Sequence, residues 1–121
     1  METIISYLMG HIPDSLKNKY SPQKLELAFE ELIINIYEHG YKKNHQPIFI
    51  RLHVNKDFTD IEFRDYADQF DLVSFTKTDL VIHDLDKAPI GGQGIKFIKG
   101  VIKHLSYRYE RGMNITTLRL D

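Results

Sequence analysis

The chain has 121 residues, 42% of them hydrophobic, and its 16 basic and 17 acidic side chains leave a net charge of −1. These proportions fit one globular domain and exclude a broad positive field for nucleic acid. Cysteine is absent, which excludes a disulfide framework, thiol catalysis and thiolate metal sites and fits a reducing compartment, and no apolar run reaches the roughly 20 residues that span a bilayer.

The N-terminal METIISYLMGHIPDSL lacks the basic start and small-residue cleavage site of a secretory signal, so a cytoplasmic protein is expected. Within it Ile4, Ile5, Leu8, Met9 and Ile12 recur at helical spacing, an amphipathic helix that Pro13 interrupts or ends. Ser21-Pro22 opens a second helix, with a capping hydroxyl followed by proline at the first helical position. It is predicted to run to about His39, with Gly40 as its stop. Phe29, Leu32, Ile33, Ile36 and Tyr37 give this helix an apolar face, while Glu31, Asn35 and His39 recur at steps of four. Residues four apart on a helix are offset by about 40°, so the three form a slowly turning polar stripe beside that face. One reading is a boundary stripe at the rim of a buried surface, with His39 a helix-end donor. The other is the wall of a polar pocket between helix and sheet. There the Asn35 amide oxygen suits a hard cation such as Mg²⁺, which keeps most of its waters. The Glu31 carboxylate, one turn away, suits orienting or deprotonating a nucleophile.

PIFIRLHV alternates, with Ile48, Ile50, Leu52 and Val54 on one face and Phe49, Arg51 and His53 on the other, so a strand is predicted. NKDFTD supplies a turn and IEFRD a second strand, an antiparallel hairpin. Ile61 and Phe63 define its buried face, and Asp65 shares their parity. A carboxylate that enters a core needs donors, or its pKa rises. Asp65 reads either as a turn or cap at the strand end or as an acceptor for a ligand's exocyclic amine.

Residues 67–93 hold two short apolar patches, several aspartates, a proline and GGQG. That length without periodicity suggests a lid. Gly91, Gly92 and Gly94 come directly before a helix predicted from GIKFIKGVIKHL, apolar at Ile95, Ile98, Ile102 and Leu105. Free amides at a helix start attract phosphate, and glycine lets the backbone come close. Lys96, Lys99 and Lys103 read as a solvated face, with Lys96 near enough to the glycines to help hold phosphate. LSYRYE, a turn at Arg111-Gly112 and NITTLRL make a second hairpin. The element order predicts an α+β two-layer sandwich, with helices on one face of a mainly antiparallel sheet.

Together these motifs resemble the Bergerat-type ATPases, the fold of histidine-kinase catalytic domains, and most of all the small anti-sigma-factor serine protein kinases of bacteria. EELIINIYEHGY is similar to their Asn-containing helix, with Glu31, Asn35 and His39 at matching positions. DYADQFD is similar to their Asp-x-Gly-x-x-Phe-Asp loop, and the stretch from GGQG to the final LRL to their C-terminal third. The resemblance covers nearly the whole chain. It implies a Bergerat-fold serine/threonine protein kinase that uses ATP and Mg²⁺. Asn35 would ligate the Mg²⁺, and Glu31 would be the general base or would position the acceptor hydroxyl. His39 would be among the nucleotide contacts, and Asp65 would accept from the adenine amine. Gly91, Gly92 and Gly94 would shape the lid and its phosphate contact. Thr116 would support adenine from beneath, with Asn114, of the same parity, as the alternative. The acceptor would be a serine or threonine of a STAS-type anti-anti-sigma protein, whose release frees the chain to bind a sigma factor. The resemblance further implies a homodimer, with no direct nucleic-acid or membrane contact.

Two departures from the family pattern stand out. Ala67 replaces the usual glycine, so its methyl is expected to crowd adenine and to weaken ATP binding or shift nucleotide preference. The chain is also helical almost from Met1, where family members commonly begin with a strand. The sheet is therefore expected to lack an edge strand, leaving an edge open to a partner. The other functional reading is a nucleotide-dependent binding module without turnover. Ala67 favours it, and Glu31 argues against it, because a binder needs no base. A histidine-kinase catalytic fragment fits less well, since no phosphoacceptor-helix segment is evident.

Overall fold

The computed structural model describes residues 1–75 and 89–121. Helix α1 spans Glu2–His11, a short α2 Asp14–Lys17, and α3 Pro22–Asn35, continued by a π-helical turn Ile36–Gly40. Strands β1 (Phe49–Val54) and β2 (Thr59–Asp65) precede α4 (Pro89–Val101), and β3 (His104–Glu110) and β4 (Met113–Leu120) close the chain. Helix α1 ends at His11, just before Ile12 and Pro13, and Pro13 then leads into a separate short helix. The Pro13 carbonyl accepts from the Leu16 and Lys17 amides, both at 3.0 Å, and so opens α2. Ser21 caps α3 as expected, its hydroxyl accepting from the Lys24 N–H at 3.4 Å with Pro22 next in the chain.

The four strands form an antiparallel sheet in the order β1-β2-β4-β3. The α+β sandwich read from the element order is therefore the observed fold. Alternation places Ile61, Phe63, Leu118 and Leu120 on the inner face, in one core cluster with Ile5 and Leu8 of α1, Leu25, Phe29 and Leu32 of α3, and Ile95 and Ile98 of α4. Burying such side chains contributes about 1.5–3 kcal/mol each, which holds the helices on that face. The opposite face is a lattice of charged pairs. Asp60 takes both arms of the Arg119 guanidinium at 2.8 Å, and Glu62 accepts from Arg64 at 2.7 and 2.9 Å. Among the described residues β1 and β3 are the sheet edges, and β1 leaves Phe49 and Val54 exposed. Among the same residues no helix is long and apolar enough to cross a membrane.

Two boundaries differ from the periodicity. Leu105 belongs to β3 and not to the preceding helix, which ends at Val101. Leu105 pairs with Leu118, so its apolar side chain serves the sheet. Helix α4 begins at Pro89, so Gly91, Gly92 and Gly94 lie inside its first turns and not ahead of it. Proline is a favoured helix opener, and it outweighs the glycines as a boundary signal. The expected lid falls largely on residues 76–88, outside the described residues.

Candidate functional site

The polar stripe of α3 lies between the start of α4 and the exit of β2. On the α4 side, a methyl placed on Gly94 would come 2.6 Å from Glu31 Oε2. Only a residue without a side chain lets the helix approach the carboxylate this closely, so Gly94 and Glu31 belong to one site. On the β2 side, a methyl on Gly40 would lie 3.0 Å from the Ala67 Cβ. Gly40 thus supplies close approach. The left-handed backbone that ends the helical region falls instead to Lys42 and Lys43, at φ 54° and 65°.

The helix does not stay α to His39. After Asn35 it widens to a π turn, in which the Tyr41 amide reaches back to the Ile36 carbonyl at 2.8 Å. Such turns recur at functional sites because they re-aim the side chains beside them. His39 is exposed in this turn, while Glu31 and Asn35 are half-buried. Among the described residues the Asn35 carboxamide makes no hydrogen bond, which leaves its oxygen available.

At the β2 exit, Asp65 is buried, as its parity predicts. Its Oδ1 accepts from the Ala67 N–H and from the Asn114 Nδ2, each at 3.0 Å. Burial pushes the Asp65 carboxyl above the ordinary aspartate range, and these two donors pull part of the way back. Asn114 sits directly opposite Asp65 in the β2–β4 register. Its amide also donates to the carbonyls of Ala67 and Asp68 at 3.1 and 3.0 Å. Its oxygen accepts from the Phe70 N–H at 3.0 Å and from the Tyr107 hydroxyl. Asn114 therefore fixes both the carboxylate and the loop that follows it. Thr116, also buried, lies two positions further along β4, opposite Phe63. The link to Asp65 runs through Asn114.

The Ala67 methyl is buried within the core cluster and faces Gly40. A glycine in the helical turn makes room for the alanine at the loop, so this methyl packs against protein. Sequence reading missed Tyr41 as a positioning residue. Its buried hydroxyl donates to the Pro47 carbonyl at 2.7 Å and accepts from the Tyr66 N–H at 2.8 Å, which ties residues 41–47 to the residue after Asp65. A tyrosine set between Gly40 and the Lys42-Lys43 pair gives no sign of such a partner.

The donor set fits a nucleotide with its cation. Among the described residues there is no cluster of three His, Asp or Glu side chains that would cage a metal. Mg²⁺ bound mainly by waters and phosphates needs only a side-chain oxygen or two from the protein, and Asn35 offers one. The first-turn amides of α4, that of Gly91 among them, have no acceptor within the helix and carry its positive dipole end. Oδ2 of Asp65 accepts no hydrogen bond among the described residues, a free acceptor in a buried setting. Lys96 lies elsewhere, in a groove with Lys19 and Lys24 from the chain around the start of α3.

A family model described as the histidine kinase-like ATPase domain matches residues 4–120. Among solved structures the chain is similar to the Acinetobacter baumannii histidine kinase AdeS, at 16% sequence identity and a TM-score of 0.55. That match covers 83% of this chain and 46% of the AdeS chain, so this chain spans about half the length of that one. No curated protein matches the chain in sequence. The AdeS likeness establishes the fold alone, and it agrees with the helix-on-sheet architecture. The family model reaches from α1 to the last strand, and the chain belongs to the histidine kinase-like ATPase domain family.

Proposed function

We propose that this domain is an ATP-dependent serine/threonine protein kinase that acts as an anti-sigma factor in a partner-switching pathway. The observation that carries the reading is the placement of the Glu31 carboxylate against Gly94 at the start of α4. A domain that only holds nucleotide has no use for a carboxylate beside the phosphate end of its pocket. A transferase needs one there to orient or deprotonate the incoming hydroxyl.

In this reading the adenine amine is accepted by Asp65, held by Asn114, and the phosphates lie toward the α4 amides. Asn35 would hold Mg²⁺, which when bound supplies neutralisation of the phosphate charge. Glu31 takes the proton of the acceptor hydroxyl as its oxygen bonds to the γ-phosphorus. The bond from that phosphorus to the β–γ bridging oxygen breaks, and ADP leaves with the electron pair. Most of the rate enhancement then comes from positioning and charge. The acceptor is a serine or threonine of a STAS-type anti-anti-sigma protein, and the sigma factor is the alternative partner. The reading includes a homodimer, for which the exposed Phe49 and Val54 of edge strand β1 offer a surface.

The test is transfer of labelled γ-phosphate to an anti-anti-sigma protein, with Glu31→Ala beside the wild type. Transfer that disappears in the variant while ATP binding persists supports the kinase. Nucleotide-dependent partner binding with no transfer by the wild type would instead make the domain a binding module.

A further inference from the structure

Helices α3 and α4 run antiparallel, since Gly94 meets Glu31 while Gly100 and Val101 share a groove with Ser21 and Lys24. This groove is a cavity of about 910 Å³ that none of Glu31, Asn35 and Asp65 lines. Lys19, Lys24, Lys96 and Lys103 line it, four of the chain's sixteen basic residues on a protein of net charge −1. All four are exposed. Lys99, in the same helix, is turned away, and its ammonium donates to the Phe75 carbonyl. Among the described residues the one lining carboxylate, Asp121, lies 3.4 Å from the His104 ring. Among the described residues none of the four lysines has a carboxylate within ion-pairing distance. The groove also has an apolar part, the half-buried Tyr20, Phe97 and Val101.

We propose that this groove docks an acidic segment of a partner protein, its carboxylates on the lysines and an apolar side chain against Phe97 and Val101. Concentrated like charge draws an oppositely charged partner and sets its orientation. The lining holds lysine and no arginine. A lysine ammonium is a compact point charge on a flexible stem, which carboxylates spaced along a peptide segment satisfy without bidentate geometry. Nucleic acid draws its affinity from many phosphate contacts along a track, which a near-neutral chain with one compact basic groove does not offer. The proposal does not depend on nucleotide binding, because the groove shares no residue with that site.

The experiment measures fluorescence anisotropy of a labelled peptide alternating glutamate with leucine, titrated with the full chain. An oligothymidylate and phosphatidylserine vesicles serve as competing probes. The expected result is saturable peptide binding that weakens as salt rises, because exposed charges are screened over about 8 Å at physiological ionic strength. Lys19→Glu combined with Lys24→Glu is expected to weaken it by roughly tenfold or more, the scale of losing interfacial charge pairs. Undiminished binding to that variant, or no binding to the wild type, overturns the proposal. So does tighter binding of the oligonucleotide or vesicles that the same substitutions abolish, which would make the groove a phosphate site. Should the double variant fail to fold, amide shifts in the wild type on adding peptide decide. Shifts centred on Ser21, Lys24 and Gly100 support the groove, and shifts confined elsewhere overturn it.

Discussion

Asn114 of β4 donates from Nδ2 to Oδ1 of Asp65, its direct partner across the β2–β4 ladder, at 3.0 Å. The same side chain holds the Ala67 and Asp68 carbonyls and the Phe70 amide, so removing it strips several buried groups at once. Each such group left without a partner costs about 1–3 kcal/mol. Asn114→Ala is therefore expected to destabilise the domain by about 2 kcal/mol or more. Its urea midpoint should fall while the slope of the transition is kept. An unchanged midpoint would show that water replaces the amide freely.

Asp65→Asn tests base recognition. The substitution keeps an oxygen for the Ala67 N–H but removes the charged acceptor proposed for the adenine amine. Affinity for ATP is expected to fall by about 1–3 kcal/mol, with a far smaller loss for tripolyphosphate. Equal losses for the two ligands, measured by calorimetry, would show that this carboxylate does not read the base.

Gly94→Ala separates stability from chemistry. Alanine is worth up to about 1 kcal/mol over glycine in a helix interior, and the atom it would meet is the far end of the Glu31 side chain. The chain is expected to keep or raise its melting temperature while the displaced carboxylate lowers phosphoryl transfer by about 10²-fold or more. Full transfer activity in a stable variant would remove Glu31 from the reaction.

Much of the fold and part of the site could be read from residue patterns. Parity alone placed Asp65 inside, since Ile61 and Phe63 fix the face of β2. The steps of four placed Glu31 and Asn35 on one line. His39 left that line because the helix widens after Asn35, a change that residue spacing does not announce. The fold sets the Ala67 methyl, the departure from the family glycine, against a glycine on the facing turn. The start of α4 was misplaced because glycine-rich sequence suggests a loop, while Pro89 opens a helix that carries those glycines in its first turns. Asn114 and Thr116 share parity, and only the register, which pairs Asp65 with Asn114, separates them.

Titration of the two strand aspartates should pull stability in opposite directions. Asp65 has its folded-state pKa raised above 3.8, mainly by burial. The folded state therefore holds that proton more tightly than the unfolded chain, and stability falls as pH rises through the window above 3.8. Asp60 has its pKa lowered, chiefly by the hydrogen bonds from Arg119, so its contribution is present above 3.8 and lost as pH falls through its folded-state value. Across a pH series of urea midpoints, Asp65→Asn is expected to gain on the wild type as pH rises, and Asp60→Asn to lose ground. Curves that run parallel to the wild type would contradict both assignments.

The most direct measurement of the central claim is calorimetric titration of Mg²⁺-ATP into the wild type and into Asn35→Ala, with circular dichroism to verify that the variant is folded. The account predicts saturable binding to the wild type and none to the folded variant. Equal affinity in the two proteins would contradict it, because the cation would then be held without the amide of α3.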